Sequence, residues 1–177
     1  MKEDNQDPIP PPKPRSWLRR IFLLLLFAFI ITQFFQPDKN NNDMVHREDI
    51  STVVGVPDSV QTLLRNACYD CHSNNTNYPW YSNIQPVAWW LNHHVEEGKG
   101  RLNFDEFAAI VPRNGKTTRE RQLKKLEEVG ETIEKEEMPL SSYLLMHKEA
   151  RLTSQQKKII IDWSKSASKE LSSLSKK

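Results

Sequence analysis

The chain has 177 residues, a formal net charge of +2 and two cysteines, which bounds it to one modest domain with a short accessory segment. The charge surplus sits in the first 20 residues, where Lys2, Lys13, Arg15, Arg19 and Arg20 outweigh Glu3, Asp4 and Asp7. The balanced remainder carries no electrostatic footprint for nucleic acid.

Residues 1–16 are polar and rich in proline (Pro8, Pro10, Pro11, Pro12, Pro14), a composition that cannot form a core. They are expected as a disordered cytoplasmic tail. Residues 17–36 follow as a transmembrane signal anchor. Arg19 and Arg20 abut an unbroken apolar run from Ile21 to Ile31, which Thr32 and Gln33 soften before Phe34 and Phe35. The segment is about long enough to cross a bilayer core, although short. A buried helix and a cleaved signal peptide are the alternatives, but no A-x-A cleavage pattern follows the run. The flanking arginines put the N-terminal side in the cytoplasm. The expectation is a single-pass protein of a bacterial inner membrane with its C-terminal domain in the periplasm. Residues 37–56, with Asn40, Asn41 and Asn42 in sequence, are expected as a flexible linker.

The remaining residues, 57–177, form the expected domain. Asp58 is a plausible cap for a helix in which Val60, Leu63, Leu64 and Ala67 share one face. Cys68-Tyr69-Asp70-Cys71-His72 continues that register. Two cysteines separated by two residues, with histidine directly after, is the attachment signal for a c-type haem. The spacing lets both sulfurs reach adjacent vinyl groups of a porphyrin and sets the imidazole of His72 to serve as an axial ligand. Three other readings compete. A zinc site needs ligands beyond the two cysteines. A thioredoxin-like pair needs a βαβ pattern, and no strand pattern is present. A disulfide across two residues closes a ring with little entropic gain.

Tyr78-Pro79-Trp80-Tyr81 is an aromatic loop that either packs the core or lines a porphyrin. Pro86 suits the first turn of a second helix ending near Gly98, with Val87, Trp90, Leu91, His94 and Val95 on one face. Asn103 with Glu106, and Thr117 with Glu120, are capping-box signatures. The second opens a charged helix with apolar residues only at Leu123, Leu126, Val129 and Ile133. Glu137-Met138-Pro139 follows. The Met138 thioether is a soft ligand for haem iron, and proline stiffens the loop that presents it. Met138 is the expected second axial ligand, with His94, Met146, His147 and an open position as alternatives. Thr153 with Gln156 caps a last helix with a stripe of Ile160, Trp163, Ala167, Leu171 and Leu174.

Helix, Cys68-x-x-Cys71-His72, further helices, Met138-Pro139 and a closing amphipathic helix together resemble a class I cytochrome c. With Asn77 to Tyr81 and Trp89 to His94 added, roughly Pro57 to Ser168 resembles the haem-binding domain family of bacterial envelope proteins. The resemblance implies an all-α, cytochrome c-like fold around one covalently attached haem c. The expected role is electron transfer to a redox partner protein of the envelope. The alternative is a haem peroxidase, or a gas or redox sensor, with an open or histidine-ligated distal position and His93 or His94 beside it.

Overall fold

The computed structural model describes residues 16–42 and 48–173, so the expected tail lies outside it except for Ser16. Among the described residues the fold is all-α. Seven α-helices are joined by 3₁₀ turns, and β pairing is confined to two isolated bridges.

Helix α1, Ser16–Thr32, leaves its large apolar side chains from Trp17 to Ile31 exposed. Among the described residues no helix is long and apolar enough to cross a membrane. With 17 residues, α1 stops short, at about 26 Å against the ~30 Å of a hydrocarbon core. The chain nevertheless goes on as three further turns, in which the amides of Gln33, Phe34 and Phe35 bond to the carbonyls three residues back.

The stretch 37–56, expected as a flexible linker, is bonded to the domain at several points. Asn41 pairs with Asn75 in an antiparallel bridge. The Asn40 side chain donates to the Ser73 carbonyl and the Thr76 hydroxyl, both at 2.9 Å. Farther on, Ile50 and Val54 enter the core beneath a 3₁₀ turn capped by Asp49. The asparagines that look like linker in composition pair with the Ser73, Asn74 and Thr76 backbone groups of this turn.

Helix α2 spans Asp58–Ala67 and buries Val60, Leu63, Leu64 and Ala67, the face that the periodicity predicts. Pro57 occupies the cap position without a side-chain bond, so Asp58 is the first helical residue rather than the cap. Its carboxylate there faces the positive helix end. Helix α3, Tyr69–His72, is a single turn. Helix α4, Val87–Arg101, runs past the expected stop at Gly98. Its buried face is Ala88, Leu91, Val95 and Gly98, whereas Val87, Trp89 and Trp90 are exposed. The face is rotated by about one position from expectation, because Gly98 rather than a side chain meets the neighbouring turn.

Helix α5 is Thr118–Glu134, α6 is Ser141–Leu144 and α7 is Ser154–Ser173. The Thr117–Glu120 capping box is complete. Thr153 and Gln156 form its counterpart, with bonds of 2.8 and 3.2 Å. The Asn103 box does not form. Asn103 caps a 3₁₀ turn at Phe104–Glu106, and the Glu106 carboxylate turns to the Asn74 amide at 2.7 Å. Helices α5 and α7 are antiparallel, since Arg119 reaches the Leu171 carbonyl while Lys157 pairs with Glu136. They lie close because Gly130 faces Ser164, whose Oγ stands 2.4 Å from where a β-carbon would be. Leu126, Val129 and Ile133 meet Ile160, Trp163, Ala167 and Leu171 in one core with α2 and Phe104. Leu174, the last residue of the expected stripe, lies outside the described residues.

Candidate functional site

The site begins where α2 breaks. Cys68 leaves helical geometry (φ −129°, ψ −39°) while its amide still bonds to the Leu64 carbonyl. Its own carbonyl then accepts from the amides of Cys71 and His72 at 3.1 and 3.0 Å. That single turn sets Cys68 and Cys71 three residues apart on one side. Tyr69 anchors the opposite side by stacking on Phe104, with ring centroids 5.1 Å apart.

His72 closes the turn. Its Nδ1 lies 2.9 Å from the Leu102 carbonyl. A carbonyl only accepts, so the proton belongs on Nδ1 and the lone pair on Nε2, the arrangement of a metal-binding imidazole. Burial lowers the pKa of His72, against the opposing pull of the Leu102 and Gly98 carbonyls. The neutral ring, the form that ligates, is therefore favoured.

Two unanticipated contacts hold this turn. A β-carbon on Gly98 would lie 2.4 Å from the Cys71 carbonyl oxygen, so only glycine lets α4 approach α3 so closely. Asp70, between the cysteines, accepts a 2.6 Å hydrogen bond from the Tyr143 hydroxyl of α6 and a second bond from the Asn77 amide. Burial, then the neighbouring Asp70 carboxylate, pushes the Tyr143 phenol well above its ordinary pKa, so it stays a donor. The Gly98 signal was legible in sequence but read as a helix stop. The Tyr143–Asp70 bond joins residues 73 positions apart and had no local signature.

Met138 is positioned by the end of α5. Glu136 takes a left-handed conformation (φ 59°). Its amide bonds to the Ile133 carbonyl while the Glu137 and Met138 amides both bond to Thr132. This is a Schellman turn with glutamate where glycine is usual. Lys157 bonds to the Glu136 carboxylate at 2.6 Å.

Three adjoining cavities surround these residues. One of about 310 Å³ and one of about 230 Å³ both include Cys68, His72, Arg101, Met138 and Pro139 in their walls. The smaller also includes Cys71, His94 and Tyr143. A third, about 400 Å³ and almost wholly apolar, lies along Cys71, Trp80, Val87, Trp90, His94 and Met146. Met138 thus shares both cavities that contain His72. His94 shares one of them, and Met146 and His147 share neither. Tyr78 leaves the aromatic loop for another task, accepting from the Asn40 amide at 2.8 Å.

The donor set suits a haem. Both cysteines are free thiols. Burial, helped by the neighbouring Cys71, pushes Cys68 up to about 12. Burial, helped by Asp70, pushes Cys71 up to about 11. Among the described residues no three His, Cys, Asp or Glu side chains converge to hold a bare metal ion. A neutral imidazole, a thioether and two thiols around an apolar cavity instead fit a haem.

Comparison with known families agrees with that chemistry. The family model described as a haem-binding domain matches residues 27–166, from inside α1 to inside α7. No curated protein and no solved structure matches the chain.

Proposed function

The chain belongs to the haem-binding domain family and is a haem protein, and from that premise we propose that it carries electrons in the bacterial periplasm, tethered to the inner membrane by α1. The observation that carries this reading is the wall shared by Cys68, His72 and Met138. When bound, the haem supplies one-electron redox chemistry. The residues supply the rest. The Cys68 and Cys71 thiols would hold the haem covalently, each by adding S–H across one vinyl group with no group lost. This retains the cofactor in an exported protein. His72 would ligate through Nε2, its ring oriented by the Nδ1 bond to the Leu102 carbonyl. Met138 would ligate through sulfur, a donor that raises the potential relative to two histidines. The apolar walls formed by Trp90, Leu140 and Val129 keep water away and lower the local dielectric.

Anchoring in the membrane is supported by the exposed apolar surface of α1 and by the turns that extend it through Phe35. The partner is a redox protein of the envelope that can approach the exposed haem edge.

The test is the absorption spectrum of the ferric protein, matured with covalent haem, beside Met138→Ala. We expect a sulfur-to-iron charge-transfer band in the parent and its loss in the variant. A low-spin spectrum indifferent to the substitution overturns Met138 as ligand. The second reading, a haem peroxidase or sensor, draws on His94, whose Nδ1 bonds to the Trp90 carbonyl at 2.8 Å and whose ring reaches the smaller cavity. A high-spin parent that reacts quickly with peroxide, and slowly as His94→Ala, would put that reading first.

A further inference from the structure

The end of α1 is fastened to the domain by side chains that a free tether would not need. The Gln33 carboxamide oxygen accepts from the Gln85 amide at 2.9 Å. The Phe35 carbonyl accepts from both the Gln85 side chain and the Trp89 indole, at 2.7 and 2.9 Å. Gln36 donates to the Asn83 carbonyl and Lys39 to the Asn83 side chain. Asn40 then joins Ser73, Thr76 and Lys99. Gln85 is wholly buried in this seat, and a buried amide with each polar group paired has one orientation.

Around the seat, apolar rings stay open. Phe34 is 82% exposed, Phe35 63% and Trp89 43%, and Ile84 is exposed beside them. They continue the exposed apolar surface of α1 onto the domain. Two phenylalanines and an indole at the end of an apolar helix have the composition of a membrane interface, where amphipathic rings settle at headgroup depth. The family match begins at Phe27, so the fastened segment belongs to the matched unit.

We infer that Phe34, Phe35, Ile84 and Trp89 form a docking face for the headgroup layer of the bilayer that holds α1. The domain is then held at one fixed tilt to the membrane instead of swinging on a linker. The occupant is lipid because the face is continuous with the helix that enters lipid, and the hydrogen bonds leave no free length between them. A fixed tilt keeps one edge of the haem site at constant height above the membrane and selects partners that reach that height. The inference rests on the anchored reading of α1.

The test uses the full haem-loaded chain in vesicles of phosphatidylethanolamine and phosphatidylglycerol, floated on a density gradient and then dried as oriented multilayers. Paramagnetic resonance of the ferric haem should change with the angle between field and membrane normal. The double variant Gln33→Ala/Gln85→Ala should float equally, keep its haem and lose that angular dependence. A nitroxide on Ile84→Cys should be relaxed more by oxygen than by a nickel chelate, whereas one on Lys165→Cys of α7 should show the reverse. A floating parent whose spectra are the same at every angle overturns the docking face while leaving the anchor standing. A parent that does not float overturns both. A nitroxide at position 84 relaxed mainly by nickel overturns lipid as the occupant.

Discussion

Gly98 is the residue on which the geometry of the Cys68–His72 turn depends most directly. It sits in the interior of α4, where glycine costs helix stability relative to alanine, and the compensation is contact with the Cys71 carbonyl. Gly98→Ala should therefore destabilise the domain by about 1–3 kcal/mol, the range for overpacking a close contact, and lower the yield of covalent haem. Urea unfolding and the haem-to-protein absorbance ratio would measure the two effects. Gly100→Ala, where a β-carbon meets nothing within 4 Å, is the control and should leave both unchanged or slightly improved. Equal losses in both variants would return Gly98 to the role of an ordinary helix residue.

Among the elements, α5 and α7 are the pair whose capping chemistry separates most cleanly. Both begin with a threonine whose hydroxyl accepts from the amide three residues on. The reciprocal acceptor is a carboxylate in Glu120 but an amide in Gln156. The backbone and side chain of Thr117 hold Glu120 below the usual carboxylate pKa. A carboxylate whose pKa is lower when folded stabilises above its unfolded pKa, about 4.5, and loses that contribution as pH falls through the folded value. Acidification should therefore fray the start of α5 and leave the start of α7 intact. Amide exchange at residues 118–121 against 154–157, from pH 6 down to pH 3, would reveal it. Glu120→Gln should remove the pH dependence, and Thr117→Ala should cost about 1 kcal/mol at neutral pH. Equal acid sensitivity at the two helix starts would count against this account.

At the scale of the whole molecule, the apolar cavity that adjoins the proposed haem site is left open. Trp80 is 73% exposed, Leu145 75% and Met146 59%, an apolar surface of the sort that marks a binding site on a soluble domain. The core of α2, α5 and α7 is packed from its own side chains, and Ala67, Phe104, Val129 and Ile133 also line the cavity beside His72. On the proposed covalent attachment, Cys68→Ser/Cys71→Ser should lack haem and keep its helices while melting at lower temperature and binding a hydrophobic dye, because a ligand that binds only the folded state stabilises it by linkage. Circular dichroism and dye fluorescence beside the haem-loaded parent would test this. An unchanged melting temperature without dye binding would mean that nothing covers the cavity.

By itself the sequence determined whatever depends on short spacing. The paired cysteines and His72, the apolar stripes of α2, α5 and α7, and the boxes at Thr117 and Thr153 all rest on contacts within a few residues. Periodicity reports such contacts directly. Asn103 shows the limit, because Glu106 satisfied the same local signature but found Asn74 across the fold. Three features were decided only by the tertiary structure. Gly98 became a contact rather than a stop because α3 packs against it. Residues 37–42 became a strap because the turn at Ser73–Thr76 offered unpaired backbone groups. Met138 joined His72 in a common wall because α5 and α2 both pack on α7 and α5 ends in a turn that folds back on Thr132. Each required partners tens of residues away, and a linear pattern carries no record of which distant surfaces will meet.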